Sequence, residues 1–305
     1  MVANFWRMML AWQFVLAIVI AVGASWTVGE AALWRAALFA LVAFVGIQCA
    51  VIWLTFAVSR VLAGPEPAVR DFRQTVRAML TEPVAFALAQ LALARPFQFQ
   101  LPAQGGGSDD VARSPLLLVH GLATNRGVWR WLFPRLRAAG FECIHAVDLE
   151  PMRADIDVLT RSLVREIQQI RDLHMGARIT IVAYSMGGLI TRAALGALPA
   201  EAIRHVITVG TPHHGAAIAR MLSWPCAQQM CPGSAWLAEL NELQEGRLPV
   251  PLTAIRSRED NLVRPTASAK LHGAKCLEVR GLGHFGLLIS SRSLDCVLRA
   301  LREVA

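Results

Sequence analysis

Two kinds of hydrophobic pattern divide this chain. From Met8 to Ser25 no charged side chain occurs and Gln13 is the chief polar one, an apolar length about that needed to cross a bilayer as a helix. After Trp26-Thr27-Val28-Gly29-Glu30, a second apolar run extends from Ala36 to Val58 between Arg35 and Arg60. Two such runs so close together predict a transmembrane helical hairpin over residues 1–62. The small residues Ala21-Val22-Gly23-Ala24 would also suit a cleaved signal peptide, but the second span follows too soon for an ordinary exported domain. In residues 63–101, Arg70, Arg73 and Arg77 recur at helical spacing beside Phe72, Val76 and Leu80, predicting amphipathic helices lying on the membrane surface. Pro83 restarts that pattern, and Val84 to Leu93 is too short to span, so it is either a third interfacial helix or an element packed on the rest of the protein. Gln104-Gly105-Gly106-Gly107-Ser108-Asp109-Asp110 has the composition of a flexible linker, placed at 102–114.

Beyond the linker the period changes. Short β-rich runs (Leu116 to Val119, Cys143 to Val147, Ile179 to Ala183, His205 to Val209, Thr253 to Ile255, Cys276 to Val279) alternate with helical stretches near 128–139, 156–175, 186–198 and 294–304. This alternation predicts an α/β domain over 115–305, with a mostly parallel sheet flanked by helices. Residues 216–251, rich in Trp, Pro, Cys and Met, interrupt it as an insertion, read either as a cap or as a packed helical excursion.

Composition adjusts this picture. The chain of 305 residues is 55% apolar, with a mean hydropathy of +0.44, more than an ordinary soluble core requires. Its net charge of +8 suits an anionic surface; no basic run interleaved with stacking aromatics and no nucleic-acid-binding motif occurs, so phospholipid is the expected partner and nucleic acid is not. Six cysteines show no metal-ligand spacing. Only Cys226 and Cys231 lie close enough to bridge within a loop, and two reduced thiols fit equally well.

Candidate chemistry centres on Arg178-Ile179-Thr180-Ile181-Val182-Ala183-Tyr184-Ser185-Met186-Gly187-Gly188-Leu189-Ile190: a strand, a tight turn holding Ser185, and a helix start. A serine on such a turn needs small residues two before and two after it, so that strand and helix can approach; Ala183 and Gly187 fill those places. A serine hydroxyl also needs a base. Among eight histidines, His284 stands out in the glycine-rich loop Gly281-Leu282-Gly283-His284-Phe285-Gly286 after the last predicted strand. His145, His174, His205 and His272 have weaker positions. His213 and His214, in Gly210-Thr211-Pro212-His213-His214-Gly215, suit a structural role better than a metal pair. Asp260 follows the next-to-last strand in Ser257-Arg258-Glu259-Asp260-Asn261-Leu262-Val263, with Glu259 as the alternative acid; Asp148 reads as a turn acid, and Asp295 lies too late in the chain.

On four signatures, His120-Gly121 with Asn125-Arg126-Gly127-Val128-Trp129, Ser185-Met186-Gly187-Gly188-Leu189, Gly210-Thr211-Pro212-His213-His214-Gly215, and Asp260-Asn261-Leu262-Val263 followed by Gly283-His284, the sequence from Leu116 onward resembles bacterial triacylglycerol lipases and related α/β hydrolases. That resemblance implies an α/β-hydrolase fold, Ser185 as nucleophile, Asp260 as acid and His284 as base, in the family's chain order. It also implies an oxyanion hole from the backbone N–H groups of Leu122 and Met186, while the His120 side chain is either part of the site or a turn residue. Ala183 and Tyr184 stand where the family commonly has Gly and His, and Tyr184, the only tyrosine in the chain, has no evident role. The implied activity is cofactor-free hydrolysis of carboxylic esters of lipids by a membrane-anchored lipase or carboxylesterase. An acyltransferase or thioesterase with the same triad, or a noncatalytic membrane scaffold of this fold, are the alternatives. The resemblance to bacterial proteins implies the bacterial inner membrane for this multi-pass chain, and Arg7, Arg60, Arg70, Arg73 and Arg77 against Arg35 predict that its catalytic domain faces the cytoplasm.

Overall fold

Three long helices come first in the computed structural model, which describes residues 1–27, 33–66, 71–95, 114–244 and 247–304. They are α1 (Val2–Thr27), α2 (Leu33–Ala63) and α3 (Phe72–Ala94), each long and apolar enough, by length and composition, to cross a membrane. The turn expected at Trp26 to Glu30 lies outside the described residues from Val28 on, as do residues 102–113 of the expected linker. Helices α1 and α2 expose Trp12, Val19, Leu41, Val42 and Leu54, each at least 60% accessible. A continuous apolar surface of this kind is stable in lipid and costly in water.

All three helices pack on one another, and their shared interior is polar at one level: Gln48 Nε2 donates to Gln13 Oε1 (2.9 Å) and to Gln90 Oε1 (3.3 Å). Interhelical amide bonds of this type join apolar helices where no hydrophobic difference drives their association. Pro83 does not restart the third helix as its residue type predicts; α3 runs through it unbroken. Proline lacks the N–H that would bond the carbonyl four residues back, and here that carbonyl, Met79 O, accepts from Trp53 Nε1 of α2 at 2.9 Å. The neighbouring helix thus satisfies the acceptor that proline leaves open.

The remainder forms one parallel sheet of β1 (Leu116–Val119), β2 (Ile144–Ala146), β3 (Ile179–Tyr184), β4 (Ile203–Val209), β5 (Leu252–Ser257) and β6 (Lys275–Val279), in the order β2-β1-β3-β4-β5-β6. Connecting elements are α4 (Leu132–Ala138), α5 (Ile156–Leu173), α6 (Met186–Leu195), α7 (Pro225–Gln229), α8 (Ala235–Leu243), α9 (Gly286–Ile289) and α10 (Ser291–Arg302). The helix expected over 128–139 is split into a 3-10 turn at Arg126–Arg130 and α4. Pro134 explains the split, since a helix continuing from residue 128 would set its ring against the Arg130 carbonyl, while Asn125 Oδ1 caps the 3-10 turn by accepting from Gly127 N at 2.8 Å.

Strand side chains alternate between two cores, as period 2 requires. Leu117, Val119, Ile181 and Ala183 face α5, α6 and the 216–251 insertion. Leu116, Leu118, Val182 and Tyr184 face α4, α10, the start of α1 (Val2, Trp6), the end of α2 (Ile52, Phe56) and α3 along its length (Ala78, Phe86, Leu93), all in the same core. One end of the α1–α2 pair is therefore interior to the α/β unit, and α3, including Val84 to Leu93, packs along it. The insertion is tied down as well: Ile156 N donates to Gln229 Oε1 (2.7 Å), and Arg192 Nε donates to Gln244 Oε1 (2.8 Å).

Candidate active site

The chain leaves β1 to one side for β2 and returns to the other for β3, which opens a crevice beyond the carboxyl ends of β1 and β3, the place where open α/β sheets bind ligands. Ser185 stands there, one residue past β3, with φ 54° and ψ −127°. This left-handed backbone costs a non-glycine residue energy and must be over-determined by its surroundings. Ser185 N donates to Val209 O (2.8 Å), and Ser185 O accepts from Gly188 N (3.0 Å) and Thr211 Oγ1 (2.9 Å). A Cβ at Gly187 would fall on the His120 carbonyl, and one at Gly121 would lie 2.8 Å from Ser185 Cβ. These glycines let the loop after β1 close against the serine.

Three side chains far apart in sequence meet at this point. Ser185 Oγ is 3.0 Å from His284 Nε2, and His284 Nδ1 is 2.8 Å from Asp260 Oδ2. Asp260, as an acceptor, keeps the imidazole proton on Nδ1 and leaves Nε2 to accept from the serine hydroxyl. Its other oxygen, Oδ1, accepts from Leu262 N (2.8 Å) and Val263 N (2.9 Å). Burial pushes the Asp260 pKa up, but His284 and these two amides outweigh it and hold the carboxyl below its ordinary value. Asp260 and His284 are buried while Ser185 is partly accessible. A proton path thus runs inward from a reachable hydroxyl.

Leu122 follows the glycine that packs on Ser185, and Met186 N is the first amide of α6. First-turn amides have no intrahelical acceptor, so this one is available to a charge developing beside the serine. The His120 side chain is structural: Nε2 accepts from Leu149 N (2.8 Å) and Nδ1 bonds Gly121 O (2.9 Å), fixing the loop, and burial lowers its pKa so that it stays neutral. Asp148 accepts from Arg126 N and Nε, both at 2.7 Å, and takes no part at His284. Glu259 accepts from Gly281 N (2.7 Å) instead of bonding the imidazole. His213 is buried beside Thr208 Oγ1 (3.1 Å), and no cluster of potential metal ligands occurs among the described residues. Cys226 and Cys231 are free thiols.

Tyr184 now has a role. Its hydroxyl donates to His284 O (3.1 Å), and its ring lies 4.8 Å from the imidazole. Burial raises its pKa well above the ordinary value, so it remains a donor.

Sequence reasoning missed a set of residues in the first three helices. Glu82, fully buried in α3, accepts from Phe285 N (2.6 Å) and Gly286 N (2.9 Å), the two amides after His284. Asn261, next to Asp260, accepts from His284 N (2.9 Å) and donates to Thr55 Oγ1 of α2 (2.7 Å). Trp6 of α1 donates to Ala123 O (2.7 Å) in the loop after β1, and Trp6, Phe86 and Phe285 form a run of aromatic contacts. Only Glu82 carried a signal: it is the one charged residue between Ala78 and Ala94, and an isolated acid in an apolar run asks for a buried partner.

Residues 114–230 match the family model for the alpha/beta hydrolase fold. No curated protein sequence matches the chain. Among solved structures it is similar to Aspergillus fumigatus lipase B, with 21% identity and a TM-score of 0.57 over 63% of this chain and 53% of that one. It is also similar to a Bacillus licheniformis lipase in its mature form, with 19% identity and a TM-score of 0.56 over 65% of this chain and 95% of that one. The chain spans about half the length of the Aspergillus lipase. At these identities the likeness is one of fold: an α/β-hydrolase fold, preceded here by three helices apolar enough to span a membrane.

Proposed function

We propose that this protein is a membrane-anchored serine hydrolase that cleaves carboxylic esters of lipids. The observation that carries the reading is the continuous chain of contacts from Ser185 Oγ to His284 Nε2 (3.0 Å) and from His284 Nδ1 to Asp260 Oδ2 (2.8 Å). In this mechanism His284 takes the Ser185 proton as Oγ attacks the ester carbonyl, and the amides of Leu122 and Met186 receive the oxyanion. His284 then returns the proton to the departing alcohol. The acyl group stays on Ser185 until water, activated by the same imidazole, releases it as a carboxylic acid. Asp260 holds the tautomer throughout and stabilises the transient imidazolium.

Lipid esters are the favoured substrates because the helices that carry the exposed apolar surface also hold the loops of the site: Glu82 the His284 loop, Thr55 the Asp260 loop and Trp6 the loop after β1. A bilayer around those helices brings its own esters to the serine. The fold's likeness to two lipases agrees with this.

The full-length protein in detergent should react with a fluorophosphonate probe and hydrolyse p-nitrophenyl acyl esters. Ser185→Ala should abolish labelling and lower turnover by several orders of magnitude, as loss of such a nucleophile does elsewhere. A Ser185→Ala protein with the wild-type rate would overturn the reading.

A further inference from the structure

A second site lies away from Ser185, between the membrane-side helices and the edge of the sheet. It is a cavity of about 500 Å³, within the size range of small-molecule sites. One wall is apolar: Trp53, Phe56 and Ala57, with Arg60 one turn on, form a single face of α2, and Met79 of α3 completes it. Trp53 Nε1 pins the two helices together at Met79 O (2.9 Å). The opposite wall is cationic, formed by Arg256, Arg258, Arg264 and Lys270, with Glu66 and Glu259 as its acids.

These cations exceed their counter-charges. Glu66 pairs with Arg264. Glu278, outside the cavity, is shared by Arg256, Arg258 and Arg280. Arg60 and Lys270 have no ion-pair partner among the described residues. Arg256 and Arg264 are only 5% and 9% exposed and already face acids, whereas Arg60 and Lys270 are exposed and present their charges to the cavity. A ligand with several anionic oxygens answers this surplus charge.

The geometry points to a binding site for one anionic phospholipid, with its phosphodiester among Arg60, Lys270 and the arginines and its first acyl methylenes against Trp53 and Phe56. Arg60 closes the apolar run of α2, which sets the cationic wall at headgroup height. Free phosphate would use the cations and leave the apolar wall unused. The site rests on α2 lying in a bilayer and is independent of ester hydrolysis.

Native mass spectrometry of the full-length chain in detergent tests this with ether-linked phosphatidylglycerol, which no esterase can cleave, ether-linked phosphatidylcholine, and inorganic phosphate. Phosphatidylglycerol should be retained as a single adduct, about tenfold or more tighter than phosphatidylcholine, and phosphate should not displace it. The double variant Arg60→Ala/Lys270→Ala should weaken that adduct by about tenfold or more, whereas Arg60→Lys/Lys270→Arg, which preserves charge, should bind as the wild type does. Equal retention of both lipids, displacement by phosphate, unchanged binding in the alanine variant, or lost binding in the charge-preserving one would each overturn the assignment. Loss of hydrolysis in Ser185→Ala with the adduct intact would separate this site from the proposed reaction.

Discussion

At the scale of single residues, the candidate acids differ in what they hold. Asp260 reaches the imidazole with one oxygen and two backbone amides with the other, so Asp260→Asn should leave the loop folded but present an amide where an acceptor is needed. The wrong imidazole tautomer then dominates, and turnover should fall by about three to four orders of magnitude. Asp148 instead fastens Arg126 beside the loop after β1. An asparagine there can still accept from the Arg126 amide, so Asp148→Asn should retain turnover within about tenfold, the cost of one hydrogen bond to a charged group. Steady-state rates of the two variants on one ester decide the matter; the reverse ranking would remove Asp260 from the acid's place. Much of this was legible in the sequence. Ser185, Asp260 and His284 each sit in a local motif, and a strand, a turn and a small residue are properties of adjacent positions. Tyr184 was not legible, because its partner is His284 O, 100 residues later.

At the scale of elements, the catalytic loop is held by helices that precede its own domain in sequence. Glu82 of α3 takes the amides of Phe285 and Gly286, while Thr55 of α2 takes Asn261, which in turn takes His284 N. Without Glu82 these amides would lose their acceptor in a buried place, and His284 would lose its fixed distance to Ser185. Misplacement by about 1 Å can cost about a hundredfold in rate. Glu82→Ala should therefore lower kcat by about ten- to a hundredfold with little change in KM. Glu82→Gln, which keeps one accepting oxygen but sets an NH₂ against the second amide, should fall between that variant and the wild type. A KM effect of the same size as the kcat effect, or full activity in Glu82→Ala, would show that the carboxyl does not position the base. The element pattern itself was read from periodicity with two physical misses. Pro83 does not interrupt α3, because α2 supplies a donor for the freed Met79 carbonyl, and Pro134 divides a helix whose apolar spacing looked continuous.

At the scale of the whole molecule, the proposed membrane anchoring predicts an orientation from the exposed apolar surface and the basic residues. On that proposal the exposed Trp12, Val19, Leu41 and Leu54 would lie in hydrocarbon, and Arg7, Arg60, Arg73 and Arg77 would keep the α/β side in the cytoplasm, since short basic flanks stay there. A reporter fused after Ala305 should accordingly fluoresce if it requires the cytoplasm and stay inactive if it requires export. An active exported reporter with a dark cytoplasmic one would invert the topology, and would place Cys226 and Cys231, free thiols here, in an oxidising compartment.

What the sequence determined by itself was what neighbouring residues can encode. Apolar runs long enough to span, short continuous apolar runs that can be buried on both faces of a sheet, and a serine flanked by small residues at a strand end are all written within windows of a few to about twenty residues, and the order of Ser185, Asp260 and His284 is read directly along the chain. Only the tertiary structure decided that the first three helices fold back onto the loop that carries His284. Glu82 meets Phe285 across 203 positions, and Thr55 meets Asn261 across 206; the cationic cavity likewise joins α2 to the end of β5. No local pattern specifies such pairings, because a buried acid or an unpaired arginine declares only that it needs a partner, and the partner is chosen by how the whole chain packs.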